Sequence, residues 1–279
     1  VINNDDLFTN SRDVTLTLEA TDLISGPYQM RFSDNQLVWT DWEVYNTTKA
    51  YTVPDLDGIK TVHVQFKDNA GNDSISYSDT INLDQVGCNP PVVSADTPTN
   101  DATPTWSWVS GGGGGNATYR YQVDSEAGAW TETTDTSFTP ASDLSEGSHT
   151  LYVQERDEAG NWSDSGTAAV EIDLTAPGAP TVDATTPTND STPTWTWVAG
   201  GGGNGTFRFQ LSSEIGTWTE TTDLLYTPVE ALAEGDYTIY VEERDDAGNW
   251  SASGEFTLTV DLTAPTAPTV DARSEERRV

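Results

Sequence analysis

Carboxylates and amides recur in a fixed five-residue pattern. Asp157-Glu158-Ala159-Gly160-Asn161 has counterparts that start at Asp68 and Asp245. The first reading is a hairpin turn, in which Gly160 supplies a positive φ and the Asp and Asn side chains bond to nearby backbone. The second reading is calcium. If the flanking segments form a sandwich, the turn before its last strand lies at the end where the chain comes in, opposite the last strand of the preceding module. Asp157 and Glu158 would then approach Asp84, and Asp245 and Asp246 would approach Asp173. Calcium takes six to eight oxygens, which carboxylates from two modules could supply in part, although the Asp-x-Asp-x-Asp-Gly loop is absent.

Aromatics offer a different chemistry. Trp162 and Trp250 stand beside the turns, and Tyr152 and Tyr240 fall on the outward face of a strand. Exposed rings of this kind could stack on sugars, so a host or matrix glycan is a candidate partner; a core position is the competing reading. For Trp106, Trp108, Trp195 and Trp197 the alternating placement predicts the core.

Catalytic patterns are missing. His63 and His149 have no nucleophile motif beside them, and neither Gly-x-Ser-x-Gly nor His-Glu-x-x-His occurs. One Cys and two His argue against zinc or iron. Acid pairs are too common to mark a glycosidase site, which needs two acids facing each other across a cleft. Gly111 to Gly115 and Gly200 to Gly203 lack the Gly-Lys-Ser/Thr ending of a phosphate loop and read as flexible loops between the second and third strands. No enzymatic activity is expected.

The elements that carry these residues repeat. Pro104-Thr105-Trp106-Ser107-Trp108-Val109 returns as Pro193-Thr194-Trp195-Thr196-Trp197-Val198, and Trp130 to Asp135 returns as Trp218 to Asp223. Residues 1–88 form a diverged first module, recognised by Asp57-Gly58, by Val62, Val64 and Phe66, and by a closing Ile81-Asn82-Leu83-Asp84. Residues 89–177 and 178–265 form the second and third. Period-two alternation without helical runs predicts seven strands per module, in the second near 91–96, 103–109, 118–124, 129–133, 136–140, 148–156 and 163–173.

Asp-x-Ala-Gly-Asn after a Val-rich strand, the Asp-Leu-Thr-Ala-Pro hinge at Asp173 and Asp261, and Trp-Thr before Phe-Thr-Pro resemble the bacterial immunoglobulin-like and fibronectin-III-like repeats of large surface proteins and adhesins. The resemblance reaches about residue 272 and is weakest in the first module, where Val14-Thr15-Leu16 lacks the Trp pair. It implies an all-β chain of three tandem immunoglobulin-like (fibronectin-III-like) β-sandwich modules. It further implies an extracellular or cell-surface setting and a structural or adhesive role as spacer and display rod. A carbohydrate-binding accessory region of a secreted enzyme is the alternative.

Composition limits the partners. The net charge is -33, shared as -9, -12 and -12 among the modules, which excludes nucleic acid and disfavours an anionic membrane surface. No apolar run is long enough to span a membrane, so no membrane insertion is expected in this segment. The N-terminus has no signal-peptide pattern, so any targeting signal has been removed or lies outside the segment. Prolines in Asp173 to Pro180 and Asp261 to Pro268 predict semi-rigid linkers. Cys88, in Gly87-Cys88-Asn89-Pro90-Pro91, reads as an incidental exposed thiol or an interchain bridge. Residues 266–279 read as the orphan first strand of a further repeat with a charged tail. That strand would come from a longer array, or would add to the edge of another copy of the chain in a head-to-tail fibre.

Overall fold

The computed structural model describes residues 1–269. Apart from a 3-10 turn at Asn3–Asp5, its regular elements are strands. The first module holds β1 (Phe8–Thr9), β2 (Asp13–Thr17), β3 (Pro27–Ser33), β4 (Glu43–Val44), β5 (Thr48–Thr52), β6 (Gly58–Asp68) and β7 (Tyr77–Leu83). The second holds β8 (Val92–Ser94), β9 (Trp106–Val109), β10 (Gly115–Val123), β11 (Thr131–Thr133), β12 (Ser137–Phe138), β13 (Gly147–Asp157) and β14 (Gly166–Ile172). The third holds β15 (Thr181–Asp183), β16 (Trp195–Val198), β17 (Thr206–Leu211), β18 (Thr219–Thr221), β19 (Leu225–Tyr226), β20 (Gly235–Arg244) and β21 (Gly254–Val260).

The three modules share one topology. The larger sheets run β1-β7-β6-β3-β4, β11-β10-β13-β14 and β18-β17-β20-β21, and the smaller ones β2-β5, β12-β9-β8 and β15-β16-β19. In each module the chain opens on the smaller sheet and then crosses to lie parallel to the last strand. Ile2 bridges Leu16 before β1 joins β7. β8 pairs with β9 before Thr99 bridges Ile172, and β15 pairs with β16 before Thr188 bridges Val260. The chain is therefore all β, in three tandem immunoglobulin-like sandwiches.

Alternation explains the cores. In β9 and β16 the tryptophans face inward, 0% exposed at Trp106 and Trp195 and 2% at Trp108 and Trp197, while Ser107 and Thr196 face solvent. Burying a side chain of this size stabilises the sheet pair by about 2–3 kcal/mol. In the third module these indoles pack with Phe207, Ile239, Val241, Leu258 and Val260. The first module sets Val14 and Leu16 where the others have the Trp pair, and fills its core with Met30, Phe32, Val62, Val64, Ile81 and Leu83.

By compactness the chain divides into two units. One comprises Val1–Asp96, Thr103–Ser142 and Ser148–Val170; the other comprises Thr97–Ala102, Asp143–Gly147 and the chain from Glu171 onward. The division passes through the second sandwich. Of the orphan strand expected at the C-terminus, Val270 onward lies outside the described residues, and residues 261–269 carry no strand and are exposed.

Candidate functional site at the module junctions

Each Asp-x-Ala-Gly-Asn segment closes as a turn around its first carboxylate. In the first compact unit, Asp157 is buried, and its Oδ1 accepts the backbone N–H of Asn161 at 2.8 Å. Its Oδ2 accepts the Asn161 side-chain amide at 3.0 Å. Asn161 Nδ2 also donates to the carbonyl of Asp84 at 2.8 Å, which ties the turn to the end of β7. In the second unit Asn249 Nδ2 donates to the carbonyl of Asp173 at 2.8 Å and to Asp245 Oδ2 at 2.9 Å. Asp245 Oδ1 accepts the N–H groups of Gly248 and Asn249, and Asn100 N–H donates to Ala247 O at 3.1 Å. Burial pushes the Asp245 carboxyl up, but the donors from Asn249, Gly248 and Ala247 outweigh it and hold the group below its usual range.

The linker is embedded at the same place. Cys88 Sγ donates to the Glu155 carbonyl at 3.3 Å, Asn89 N–H to Gly112 O at 3.0 Å, and Asn89 Nδ2 to Gly111 O at 3.2 Å. Pro91 is buried with its carbonyl over Gly166, where any Cβ would collide. Pro180 sits over Gly254 in the same way, and Gly178 N–H donates to Gly201 O at 2.9 Å. Cys88 is thus buried at 5% exposure, which corrects the exposed-thiol reading. Burial raises its pKa, and the charges of Glu155 and Asp157 push it further the same way.

Beneath the glycine runs lie two carboxylates, Glu155 and Glu243, each 1% exposed. Ser110 Oγ donates to Glu155 Oε2 at 2.6 Å, and Gly200 N–H donates to Glu243 Oε2 at 3.1 Å. A Cβ on Gly115 or Gly203 would strike the carboxyl it covers, and one on Gly111 or Gly200 would strike the linker. Gly111, Gly115, Gly200 and Gly203 therefore fit closely over the linker and a buried acid, while Gly112, Gly114 and Gly201 stand in open space at positive φ, so the runs expected as flexible loops also serve as covers.

Of the six acids considered for calcium, Asp157 and Asp245 turn their oxygens into their own turns, and Glu158 and Asp246 are exposed. Asp84 and Asp173 meet the turns through backbone carbonyls, while their carboxylates accept Val86 N–H and Thr175 N–H. Among the described residues no three acidic, His or Cys side chains gather as a metal cluster. At each junction the side-chain amide of the motif's Asn reaches a backbone carbonyl of the module before, a contact made by the Asn and not by the acids.

The tryptophans considered for sugar stacking are half-buried and hold arginines. The Arg120 guanidinium lies 4.4 Å from the Trp162 ring and 4.8 Å from Trp130. Arg208 lies 4.3 Å from Trp250 and 4.8 Å from Trp218, and it pairs with Glu242. In the first module Arg31 lies 5.0 Å from Trp39 and 4.5 Å from Trp42. These cation–π stacks run along the outer face of the larger sheets, and their signal in the sequence was an Arg alternating with inward aromatics at Tyr119-Arg120-Tyr121 and Phe207-Arg208-Phe209. Tyr152 and Tyr240 are half-buried on the outward side of β13 and β20.

The sequence profile of bacterial Ig-like domains matches residues 91–174 and 178–262. The chain belongs to the bacterial Ig-like domain family. The profile does not reach residues 1–88, the module with neither the Trp pair nor the glycine run, so the resemblance between the first module and the two bacterial Ig-like modules rests on topology and on the shared turn. Solved structures similar to the chain include the FN1–FN3 domains of chicken CNTN1, at 15% identity, TM-score 0.38, and cover of 90% of this chain and 96% of that one. The fibronectin(III)-like modules of Clostridium thermocellum CbhA stand at 12% identity and TM-score 0.38 over 62% of this chain and 93% of that one. Three consecutive domains of titin stand at 15% and 0.38 over 93% and 97%. No curated protein matches the chain significantly.

Proposed function

We propose that this chain is a non-catalytic extracellular segment that spaces and displays other parts of a bacterial surface or fibre protein. The observation that carries the reading is the repeated junction, where Asn161 and Asn249 each bind the carbonyl just past the last strand of the module before, over a buried proline linker. Such a contact stiffens an articulation, which is what a spacer needs and a catalyst does not. Membership of the bacterial Ig-like family supports the setting, since its domains typically occur in extracellular or surface proteins. In the described residues no helix is long and apolar enough to cross a membrane. NMR relaxation tests the reading. Neighbouring modules should share one rotational correlation time in the native chain and separate in an Asn161→Ala/Asn249→Ala variant; independent tumbling of the native modules would refute it.

Adhesion to a glycan is the second reading. It draws on Trp162, Trp250, Tyr152 and Tyr240, and Arg120 and Arg208 already lie against the tryptophans. Arg156 and Arg244 lie 5.9 Å from the same two rings, so a ligand would have to share the ring surface with guanidiniums, and binding on a glycan panel that is lost in Trp162→Ala/Trp250→Ala would favour it. Calcium is the proposed cofactor only if it can displace the Asn donors from Asp157 and Asp245. The amide clamp needs no metal, so the melting temperature should be the same in chelator and in millimolar calcium.

A further inference from the structure

Asn204 precedes Gly205 in the loop between β16 and β17, and the pair Asn–Gly occurs nowhere else in the sequence. Both residues are exposed, and Gly205 takes φ +80° with open space around its Cα. The Asn204 side chain is bonded through both of its polar atoms. Oδ1 accepts Thr206 N–H at 3.0 Å, and Nδ2 donates to the Asp245 carbonyl at 2.9 Å. The ring closed by the first of these bonds contains both Asn204 Cγ and the Gly205 nitrogen, so the side-chain carbon is held folded toward its own backbone. The Thr206 N–H also points at the oxygen that takes up negative charge when that nitrogen attacks Cγ, which is how a fixed donor lowers the barrier to acyl transfer.

The second module supplies a matched comparison. Asn116 Oδ1 accepts Thr118 N–H at 3.1 Å, and Nδ2 donates to the Asp157 carbonyl at 3.0 Å, which repeats both contacts of Asn204. The residue that follows is Ala117, at φ +61°, and its Cβ crowds the path of the attacking nitrogen. Its N–H is also turned onto the buried Glu155 carboxylate at 3.4 Å, and an amide anion beside that charge is disfavoured. Gly205 N–H makes no equivalent bond among the described residues.

We propose that Asn204 is a deamidation site built into the third module, and that its conversion loosens the turn tying that module to the second. Hydroxide removes the proton from Gly205 N, which attacks Asn204 Cγ. The Cγ–Nδ2 bond breaks, and Nδ2 takes a proton from water and leaves as ammonia. Water then opens the cyclic imide at either carbonyl, giving aspartate or isoaspartate; nothing is oxidised or reduced. In aspartate a carboxylate oxygen faces the Asp245 carbonyl where an N–H donor stood. In isoaspartate an extra carbon also enters the main chain, next to the pairing of Thr206 with Arg244. The Asp245 turn is the one that holds Asn249 on the Asp173 carbonyl at 2.8 Å, so either product acts on the junction.

The test is mass spectrometry of peptides from the folded full chain after incubation in warm, mildly alkaline buffer made with heavy-oxygen water, which labels every imide that opens. The peptide holding Asn204 should gain label about tenfold faster, or more, than the one holding Asn116, because glycine alone leaves the attacking nitrogen unhindered. Gly205→Ala, which repeats Ala117 of the second module, should slow the gain by a similar factor. Equal rates at the two asparagines, or an unchanged rate in Gly205→Ala, would overturn the site. Asn204→Asp should lower the melting midpoint of the third module by roughly 4–8 °C, the shift that about one lost hydrogen bond gives in a domain of this size, and should move the Asn249 side-chain amide resonance. The aged native chain should show both changes in proportion to its label. An unmoved midpoint and resonance in both samples would overturn the link to the junction.

Discussion

Asn161 and Asn249 each satisfy three groups at once: an Asp carboxylate oxygen, through the side chain, a second one through the backbone, and a carbonyl of the neighbouring module. Replacing Asn161 by Ala leaves a buried carboxylate and a carbonyl short of donors, and should cost about 2 kcal/mol in chemical denaturation of the second module. The homologous turn in the first module gives a pH prediction. The side chain and backbone of Asn72 hold the Asp68 carboxyl at about 2, below the roughly 3.9 of an unfolded chain. The unfolded state then binds the proton first, so this contribution is complete above about pH 4 and is lost as pH falls toward about 2. Acid unfolding of Asp68→Asn should lack that part of the slope. The motif was legible as a turn and its glycine as the φ-positive residue. The role of its Asn was not, because the acceptor is a backbone carbonyl, which leaves no mark on residue identity at Asp84 or Asp173.

Strands were the most legible elements. The run Trp106-Ser107-Trp108 specifies a half-buried strand by alternation alone, and the structure places β9 at Trp106–Val109 with both rings inside. Trp108→Ala should destabilise its sandwich by about 3–5 kcal/mol, read as a lowered midpoint with the third module unaffected. The glycine runs were read for freedom alone, because composition cannot show where a loop also needs thinness. Gly115 and Gly203 lie outside the left-handed region, and what demands glycine there is the carboxyl of Glu155 or Glu243 behind it. Gly203→Ala should therefore cost about 1–3 kcal/mol as overpacking, measured by thermal melting. The arginine stacks were visible only as polar residues between inward aromatics. Which ring lies over which guanidinium depends on the pairing of β10 with β11 and β13.

At the scale of the whole molecule, the sequence conveyed repetition and acidity, and the structure adds how repetition is mechanically used. Each charge-bearing module, -12 in the second and third, meets its neighbour through uncharged groups, an amide on a carbonyl and a proline linker, joined at the first junction by a thiol. Like-charge repulsion is screened over roughly 8 Å at physiological salt, so raising salt should change the melting temperature little while a junction variant changes it clearly, in parallel calorimetry scans. The sole cysteine adds a consequence of its own. Its sulfur is buried against the Glu155 carbonyl of the second module, and its ionisation is suppressed by burial and by nearby carboxylates. A maleimide can reach the sulfur only when segment 87–91 lifts off the second module, so the labelling rate under stretching should report how often that segment leaves its seat.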